Sequence, residues 1–199
     1  MNKKQLRRII RQQRRTLSTS QQLIASQRFC QHFLSHPKVR AGRRIALFLA
    51  SDGEINPRFV IEQLWRRKQH VYLPVLHPIR KSKLSFIRYT PTTAMQNNRF
   101  GILEPKFKSA QALPPAFLSV IGLPLVAFDT QGHRLGMGGG FYDRTLAFMQ
   151  DEKKGPKPFL LGCAHDFQCV PILPAEPWDI RLHAVATDKK LYRMNPFKT

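Results

Sequence analysis

Residues 44–76 decide the fold, and they read RIALFLASDGEINPRFVIEQLWRRKQHVYLPVL. The apolar run at 44–50 is typical of a strand that is buried on both faces, and the run at 71–76 predicts a second strand. Between them, Asn56 and Pro57 resemble an N-cap and a first helical residue, so a helix is expected to begin there. A strand, a helix and a strand within about thirty residues predict a right-handed βαβ unit and a parallel sheet.

The rest of the chain extends this pattern in both directions. Ser18 and Gln21 form a capping-box pattern that predicts a helix running to about residue 37. We interpret 97–115 as loop and expect a further helix at 142–150. Further strands are predicted at 84–90, 118–128, 158–164 and 182–188. The sequence therefore predicts one α/β domain over residues 1–199, with a three-layer, mostly parallel, open, Rossmann-like sheet and helices on both faces.

Composition limits the functional classes. The chain has 199 residues, of which 42% are hydrophobic, which suits one sizeable core. Its longest apolar run, at 118–128, is interrupted by Gly122 and Pro124, so we expect no membrane span and a soluble protein. An odd number of cysteines without C-x-x-C spacing favours the reducing cytoplasm. The net charge of +21 predicts attraction to anions: nucleic acid, anionic membrane, or phosphorylated or polycarboxylate ligands.

Residues 134–144, RLGMGGGFYDR, form the main candidate site. They match neither the G-x-G-x-x-G nor the G-x-x-x-x-G-K-[ST] pattern. Four glycines lie between positions 136 and 140, however, where their backbone N–H groups could turn toward one anion. Arg134 and Arg144 flank this cradle as phosphate ligands, and Asp143 is placed to hold Mg²⁺ against a polyphosphate. The alternative is a glycine hairpin in which Asp143 only caps the next helix.

Acidic residues are scarce, so those beside predicted strands are candidates for function. Glu54 follows a strand at its carboxyl end, where α/β sheets bind ligands, although it could instead cap the helix that Pro57 opens. Asp179 is a candidate second metal or water ligand, with a simple ion pair as the alternative. Asp129 is interpreted as the first residue of a turn. The acid-free N-terminus, with Leu6, Ile9 and Ile10 in one stripe, predicts an amphipathic helix over about residues 1–16.

Several segments together resemble one enzyme family. The stretch LPLVAFDTQGHRLGMGGGFYDRTL, at 123–146, is similar to the signature of the 5-formyltetrahydrofolate cyclo-ligases. The similarity continues, in order, through KKQLRR, IALFLASDGEI, VYLPVL, FGILEP and PAEPWDIRLHAVATD. The resemblance implies ATP- and Mg²⁺-dependent closure of 5-formyltetrahydrofolate, with or without a polyglutamate tail, to 5,10-methenyltetrahydrofolate.

The resemblance also implies roles for individual residues. The N-terminal helix and the glycine loop would bind ATP through Lys3, Lys4, Arg7, Arg134, Leu135, Gly136, Met137, Gly138, Gly139, Gly140, Phe141 and Tyr142. The folate would contact Leu49, Glu54, Met137, Gly138, Gly139, Gly140 and Phe141. Catalysis would rest on Arg134, Asp143 and Arg144, and the metal on Asp143 and Asp179.

Two other functions remain open on the sequence. The charge of +21 is compatible with a nucleic-acid-binding protein, or with nonspecific nucleic-acid association of an enzyme, although the basic residues are scattered and no nucleic-acid-binding signature accompanies them. A different ATP-dependent small-molecule kinase would share the phosphate loop but would release a stable phosphorylated product.

Overall fold

The computed structural model describes residues 2–80, 82–151, 153 and 155–194. Within these ranges the α-helices are α1 (Lys3–Arg15), α2 (Thr19–Ser35), α3 (Pro37–Ala41), α4 (Arg58–Arg66) and α5 (Phe141–Leu146). The strands are β1 (Arg44–Ala46), β2 (His70–Leu76), β3 (Leu84–Tyr89), β4 (Met95–Asn97), β5 (Leu103–Pro105), β6 (Ala112–Leu113), β7 (Val120–Pro124), β8 (Ala127–Phe128), β9 (Arg134–Leu135), β10 (Phe159–Cys163), β11 (Ala184–Ala186) and β12 (Leu191–Arg193).

Eight of the described strands form one mixed sheet in the order β12-β11-β10-β7-β1-β2-β3-β6. The central strands from β11 to β2 pair in parallel, whereas β12, β3 and β6 pair antiparallel at the two edges. From β1 the chain proceeds to β2 on one side and later returns to β7 on the other. The winding therefore reverses between β1 and β7, and open α/β sheets bind ligands at the carboxyl ends of such strands.

The two faces of the sheet carry separate apolar clusters. One face packs against α2 and α4, with Phe29 and Leu64 fully buried between them and the strands. The other face is covered by α5 and by extended chain, which bury Leu146 and Phe128. This arrangement confirms the predicted α/β class with helices on both faces of a mostly parallel sheet.

The helix starts follow from local capping. Ser18 Oγ accepts from the Gln21 backbone N–H at 3.2 Å, and Gln21 Oε1 accepts from the Ser18 N–H at 2.8 Å, which confirms the predicted capping box. α1 starts with a second capping box, between Asn2 and Gln5, that the sequence analysis missed. α4 begins one residue later than predicted, with Pro57 at the N-cap position, while Asn56 Oδ1 accepts from the Arg58 N–H at 3.0 Å, as a capping side chain does.

The stripe predicted for α1 is partly wrong. Leu6 and Ile10 are buried against Val126 and Leu135, but Ile9 is 46% exposed. Arg14, eleven positions after Lys3, takes a place on the buried face and has no exposed side-chain surface. A long cationic side chain in that face requires partners, and these lie at the site described below.

Several strand limits also differ from the predictions. The strand predicted at 118–128 is interrupted between β7 and β8, because the Leu125 carbonyl accepts from Gln168 Nε2 at 2.8 Å instead of from a neighbouring strand. The strand predicted at 44–50 ends at Ala46, and the helix predicted to end at residue 150 passes into a 3₁₀ turn after Leu146. The presumed loop at 97–115 contains β5 and β6, and β12 was not predicted.

Candidate functional site

The glycine loop lies between β9 and α5. β8 and β9 form a hairpin that follows β7, and the chain enters the loop at Gly136. Gly138 has a φ of +102°, a backbone conformation that is unfavourable for any residue with a side chain. A Cβ atom built on Gly136 would have no neighbour within 4 Å, so the loop is open on that side. The loop therefore presents backbone to an accessible surface.

Asp143 is held by contacts from outside its own helix. Its Oδ1 atom accepts from Arg134 Nη2 at 2.5 Å and from the Ile180 backbone N–H at 3.4 Å. Arg134 Nη1 also donates to the Ile180 carbonyl, so both terminal nitrogens of this arginine are engaged. Gly140 is the N-cap of α5, which does not support the interpretation of Asp143 as a simple helix cap. The carboxylate is 28% exposed and thus reaches the surface of the site.

Arg144 crosses the same loop on its other side. Its Nη2 atom donates to the Gly139 carbonyl, and its Nε atom donates to the Ser82 carbonyl at 3.2 Å. Its guanidinium carbon also lies 5.8 Å from the centre of the Phe141 ring. Arg134 and Arg144 therefore flank the loop as the sequence predicted, but Arg134 is nearly buried and Arg144 is exposed.

The N-terminal helix reaches the loop through its cations. Arg7 Nε donates to the Gly136 carbonyl at 2.8 Å, and the Arg7 guanidinium carbon would lie 3.6 Å from a Cβ on Gly138. Lys3 Nζ forms an ion pair with Glu176 at 3.2 Å. A groove of about 420 Å³ follows the exposed face of the helix and is lined by Lys4, Arg7, Arg8, Arg11, Gln12 and Arg15. The structure thus brings together predicted ATP ligands that are about 130 residues apart in the sequence.

Asp179 lies in the segment 176–180, which contacts both the N-terminal helix and Asp143. Its Oδ2 atom accepts from the Glu176 N–H at 2.9 Å, and its own N–H donates to the Glu176 carbonyl at 3.0 Å. Glu176 is the partner of Lys3, and Ile180, the next residue after Asp179, donates to Asp143. The two predicted metal ligands are therefore joined through one short segment.

Glu54 occupies the turn that follows β1 at the same edge of the sheet. Its Oε2 atom accepts from the Ser51 N–H at 3.0 Å and from Ser51 Oγ at 3.3 Å, and Arg14 Nη1 lies 3.9 Å from Oε1. These contacts hold Glu54 in its own turn, and the side chain that accepts from the first N–H of α4 is Asn56, so the helix-cap alternative for Glu54 is not supported. Burial raises the pKa of the Glu54 carboxyl, and the Ser51 hydrogen bonds and Arg14 only partly oppose this.

Tyr142 links the two halves of the site. Burial raises the pKa of its phenol, and the nearby Glu54 carboxylate raises it further. Glu54 is therefore near enough to Tyr142, in the first turn of α5, for its charge to act on the phenol. Leu49, the other predicted folate contact on this side, is partly buried against the core on the α2 face.

An aromatic residue that the sequence analysis missed completes this side of the site. Phe100 lies at the tip of the β4–β5 hairpin, is 56% exposed, and meets the Phe141 ring edge-on at a centroid distance of 6.0 Å. Asn98 Oδ1 shapes the tip by accepting from the Phe100 and Ile102 N–H groups. The sequence signal at this position is the segment FGILEP, at 100–105, which indicates the family but does not by itself indicate a ligand contact.

Comparison with known proteins identifies the family. The 5-formyltetrahydrofolate cyclo-ligase family matches residues 1–188. The chain belongs to this family. It is 46% identical over 184 residues to 5-formyltetrahydrofolate cyclo-ligase from Escherichia coli K12, covering 92% of this chain and 99% of that protein. It is also 46% identical over 180 residues to the Haemophilus influenzae cyclo-ligase, covering 90% and 94%. The predicted enzyme class is confirmed.

The three-dimensional comparison agrees. The NMR structure of 5,10-methenyltetrahydrofolate synthetase from Aquifex aeolicus superposes with a TM-score of 0.81 at 28% identity, and the match covers 100% of this chain and 96% of that one. The match includes the N-terminal helix as well as the sheet. Family membership and fold together favour the cyclo-ligase over the nucleic-acid-binding protein and the unrelated kinase.

Two further observations concern metals and membranes. Among the described residues, no group of three or more His, Cys, Asp or Glu side chains could hold a metal ion. In the part of the chain that the structure describes, each helix is too short or too polar to cross a bilayer.

Proposed function

We propose that this cyclo-ligase converts 5-formyltetrahydrofolate to 5,10-methenyltetrahydrofolate in a reaction that consumes ATP, requires Mg²⁺ and releases ADP and phosphate. One observation carries the proposal. Helix α1 contacts the glycine loop through Arg7, at the Gly136 carbonyl, and the Glu54 turn through Arg14, which lies 3.9 Å from Glu54. An anion cradle and a carboxylate that can recognise a folate therefore share one site, as a reaction between ATP and folate requires.

The nucleotide side is formed by the glycine loop and cations. The backbone of Leu135, Gly136, Met137, Gly138, Gly139 and Gly140 would approach the phosphates, with Lys3, Lys4, Arg7 and Arg144 neutralising their charge. α5 has only six residues, so we assign anion binding to the loop amides and the arginines and not to the helix dipole. Arg134 acts mainly by holding Asp143, because both of its terminal nitrogens are already engaged.

Asp143 and Asp179 would hold Mg²⁺ together with phosphate oxygens. Oδ1 of Asp143 accepts from Arg134 Nη2 and from the Ile180 N–H, and these hydrogen bonds hold the carboxylate in place. Mg²⁺ bound between these carboxylates and the phosphates would neutralise the charge that develops during phosphoryl transfer.

The folate side lies between the Glu54 turn and two aromatic rings. We assign Glu54 to hydrogen bonds with folate N–H groups, because a buried carboxylate favours donors that compensate its lost hydration. Leu49 would contribute an apolar contact. Met137 to Phe141 would contact both substrates, and Phe100 adds a second ring beside Phe141 against which a flat heterocycle can pack.

The reaction would proceed in two steps. The formyl oxygen attacks the γ-phosphorus of ATP, the bond from that phosphorus to the bridging oxygen breaks, and ADP leaves. N10 then attacks the formyl carbon, the carbon–oxygen bond breaks with loss of phosphate, and N10 releases its proton. The protein supplies alignment and charge neutralisation and needs no covalent nucleophile.

Two measurements test the proposal. Incubation with 5-formyltetrahydrofolate, ATP and Mg²⁺ should produce the absorbance of the methenyl product, and omission of either ATP or Mg²⁺ should abolish it. With ¹⁸O in the formyl group, the label should appear in inorganic phosphate. Label in water, after exchange of the formyl oxygen has been excluded, would disprove the phosphorylated intermediate. A stable phosphorylated product would instead indicate a kinase.

A further inference from the structure

The turn that carries Glu54 is bound to α1 mainly through the carboxylate of Asp52, which accepts from three arginines. Its Oδ2 atom accepts from Arg11 Nε at 2.6 Å and from Arg14 Nη2 at 3.1 Å, and its Oδ1 atom accepts from Arg15 at 2.5 Å. The Arg14 side chain is fully buried, while Asp52 is 19% exposed. A buried guanidinium requires such compensation, so this contact is part of how α1 docks.

Backbone contacts make the junction close-fitting. Asp52 and Gly53 both have positive φ, of 50° and 72°, and a Cβ atom on Gly53 would lie only 2.9 Å from the Arg14 carbonyl oxygen. Gln22 Nε2 donates to the carbonyls of Gly53, at 3.1 Å, and Arg14, at 3.5 Å. The conformation of the turn, and with it the position of Glu54, therefore depends on where α1 lies.

The other end of α1 contacts the nucleotide side. Arg7 donates to the Gly136 carbonyl, and Lys3 pairs with Glu176 in the segment that carries Asp179. Arg7 and Arg14 are two helical turns apart, or about 10 Å along one axis. The same helix therefore touches the glycine loop and the Glu54 turn.

Electrostatics makes the docking of α1 sensitive to anions. Between Lys3 and Arg15 the sequence has seven cations and no acid, so the charges along the helix repel one another. Asp52 is a permanent counter-charge at the carboxyl-terminal end of the helix. A polyphosphate bound near Lys3 and Arg7 would offset the repulsion among the cations at the amino-terminal end of the helix. Asp52 and the polyphosphate therefore both favour the docked position of α1.

We propose that Asp52 is a positioning residue that couples nucleotide binding to folate binding by clamping α1 against the Glu54 turn. This inference rests on the proposed function, because it needs ATP at Arg7 and folate at Glu54. Each ligand favours the docked position of α1. When one ligand is bound, the other therefore binds with a smaller free-energy cost for ordering the helix and the turn. The coupling is reciprocal: folate tightens nucleotide binding by the same factor as nucleotide tightens folate binding.

The test compares two dissociation constants by calorimetry. A nonhydrolysable ATP analogue with Mg²⁺ is titrated into the protein in the absence and in the presence of saturating 5-formyltetrahydrofolate. In the unaltered protein we expect the folate to tighten nucleotide binding by about 5-fold or more. In Asp52→Asn the factor should fall to near 1. Asparagine suits this substitution because it tolerates positive φ better than most residues.

Matched variants separate positioning from general stability. Glu62→Gln removes the same charge from an exposed pair with Arg58 on α4 and should retain the full coupling factor. Arg11→Gln/Arg15→Gln should lose most of the coupling, whereas Arg11→Lys/Arg15→Lys should retain most of it. These two helix variants leave Asp52 and Arg14 unchanged, so they test the coupling even if Asp52→Asn does not fold.

The outcomes are distinct. Retained coupling in Asp52→Asn or in the double glutamine variant, with or without a lower melting temperature, overturns the inference and leaves Asp52 a structural residue. An unaltered protein that forms methenyl product but shows a coupling factor of 1 also overturns it. Failure of the unaltered protein to form that product with ATP would instead disprove the proposed function.

Discussion

The glycine loop and the Glu54 turn lie at the same edge of the sheet but hold their shapes by opposite means. The loop is open at its first glycine, where a Cβ on Gly136 meets nothing within 4 Å, although a Cβ on Gly139 or Gly140 would meet side chains of α5. The turn is closed: a Cβ at Gly53 meets the Arg14 backbone at 2.9 Å, and Asp52 is surrounded by arginines. Free space in the loop is available to a ligand, whereas space in the turn is filled by the protein itself. Substitutions at the open or partly exposed positions Gly136 and Asp143 should therefore affect catalysis more than stability, and those in the turn should affect both.

The largest effect is expected at Asp143. Asp143→Asn should lower kcat/KM by about 100-fold, or about 2.7 kcal/mol of transition-state stabilisation, because a metal-binding charge is lost. The melting temperature should change little, since asparagine retains an oxygen that can accept from Arg134 and the side chain is partly exposed. Activity and thermal melts are measured together, with Glu62→Gln as control. Equal losses of activity and stability would indicate a structural role.

A methyl group at Gly136 tests whether the open space belongs to a ligand. Gly136→Ala meets no protein atom within 4 Å, so the melting temperature should be unchanged. If phosphate approaches the backbone there, the KM for ATP should rise by about 10-fold, the loss of about one good charge-assisted contact. Gly155→Ala is the matched control because its Cβ also meets nothing within 4 Å. Unchanged ATP kinetics would place the phosphates elsewhere.

The comparison also shows what the sequence could predict. The glycine loop was predictable because its constraint is local: successive glycines between a strand and a helix have few other uses. The clamp at Asp52 was not, because it joins residues 11–15 to residue 52 through side-chain contacts that leave no periodic pattern. The one available signal was that Asp52 is the first acidic residue of a very basic chain.

The β4–β5 hairpin escaped prediction for a different reason. Its strands have three residues each, too few for an alternating pattern to appear. Buried Glu104 stabilises it by accepting from the Leu76 N–H and from Asn98 Nδ2, both at 3.1 Å. Tertiary contacts of this kind outweigh weak local preferences, so Phe100 could not be placed beside Phe141 from sequence spacing alone.

Phe100 should show a smaller effect, confined to one substrate. Phe100→Ala should raise the KM for 5-formyltetrahydrofolate by about 5-fold, in the range of one aromatic contact, and leave the KM for ATP unchanged. Phe117→Ala is the matched control, since Phe117 is 54% exposed and Phe100 is 56% exposed. Steady-state kinetics with each substrate varied in turn provide the measurement. Equal changes in both KM values would show that the hairpin tip does not distinguish the two halves of the site.

The smallest effect concerns the pH dependence of the clamp. Burial acts to raise the pKa of Asp52, but the hydrogen bonds from Arg11 and Arg15 outweigh it, so the pKa lies below its ordinary value. A carboxyl with a lowered folded-state pKa stabilises the protein above its unfolded-state pKa of about 3.9, and the contribution disappears as the pH falls through the folded-state value. The unaltered protein should exceed Asp52→Asn in unfolding free energy by about 1 kcal/mol at neutral pH. Urea unfolding of both proteins at a series of pH values should show this difference constant above about pH 5 and shrinking in acid. A difference that persists to the lowest pH would mean that the charge of Asp52 contributes little and that the clamp is held by its backbone contacts.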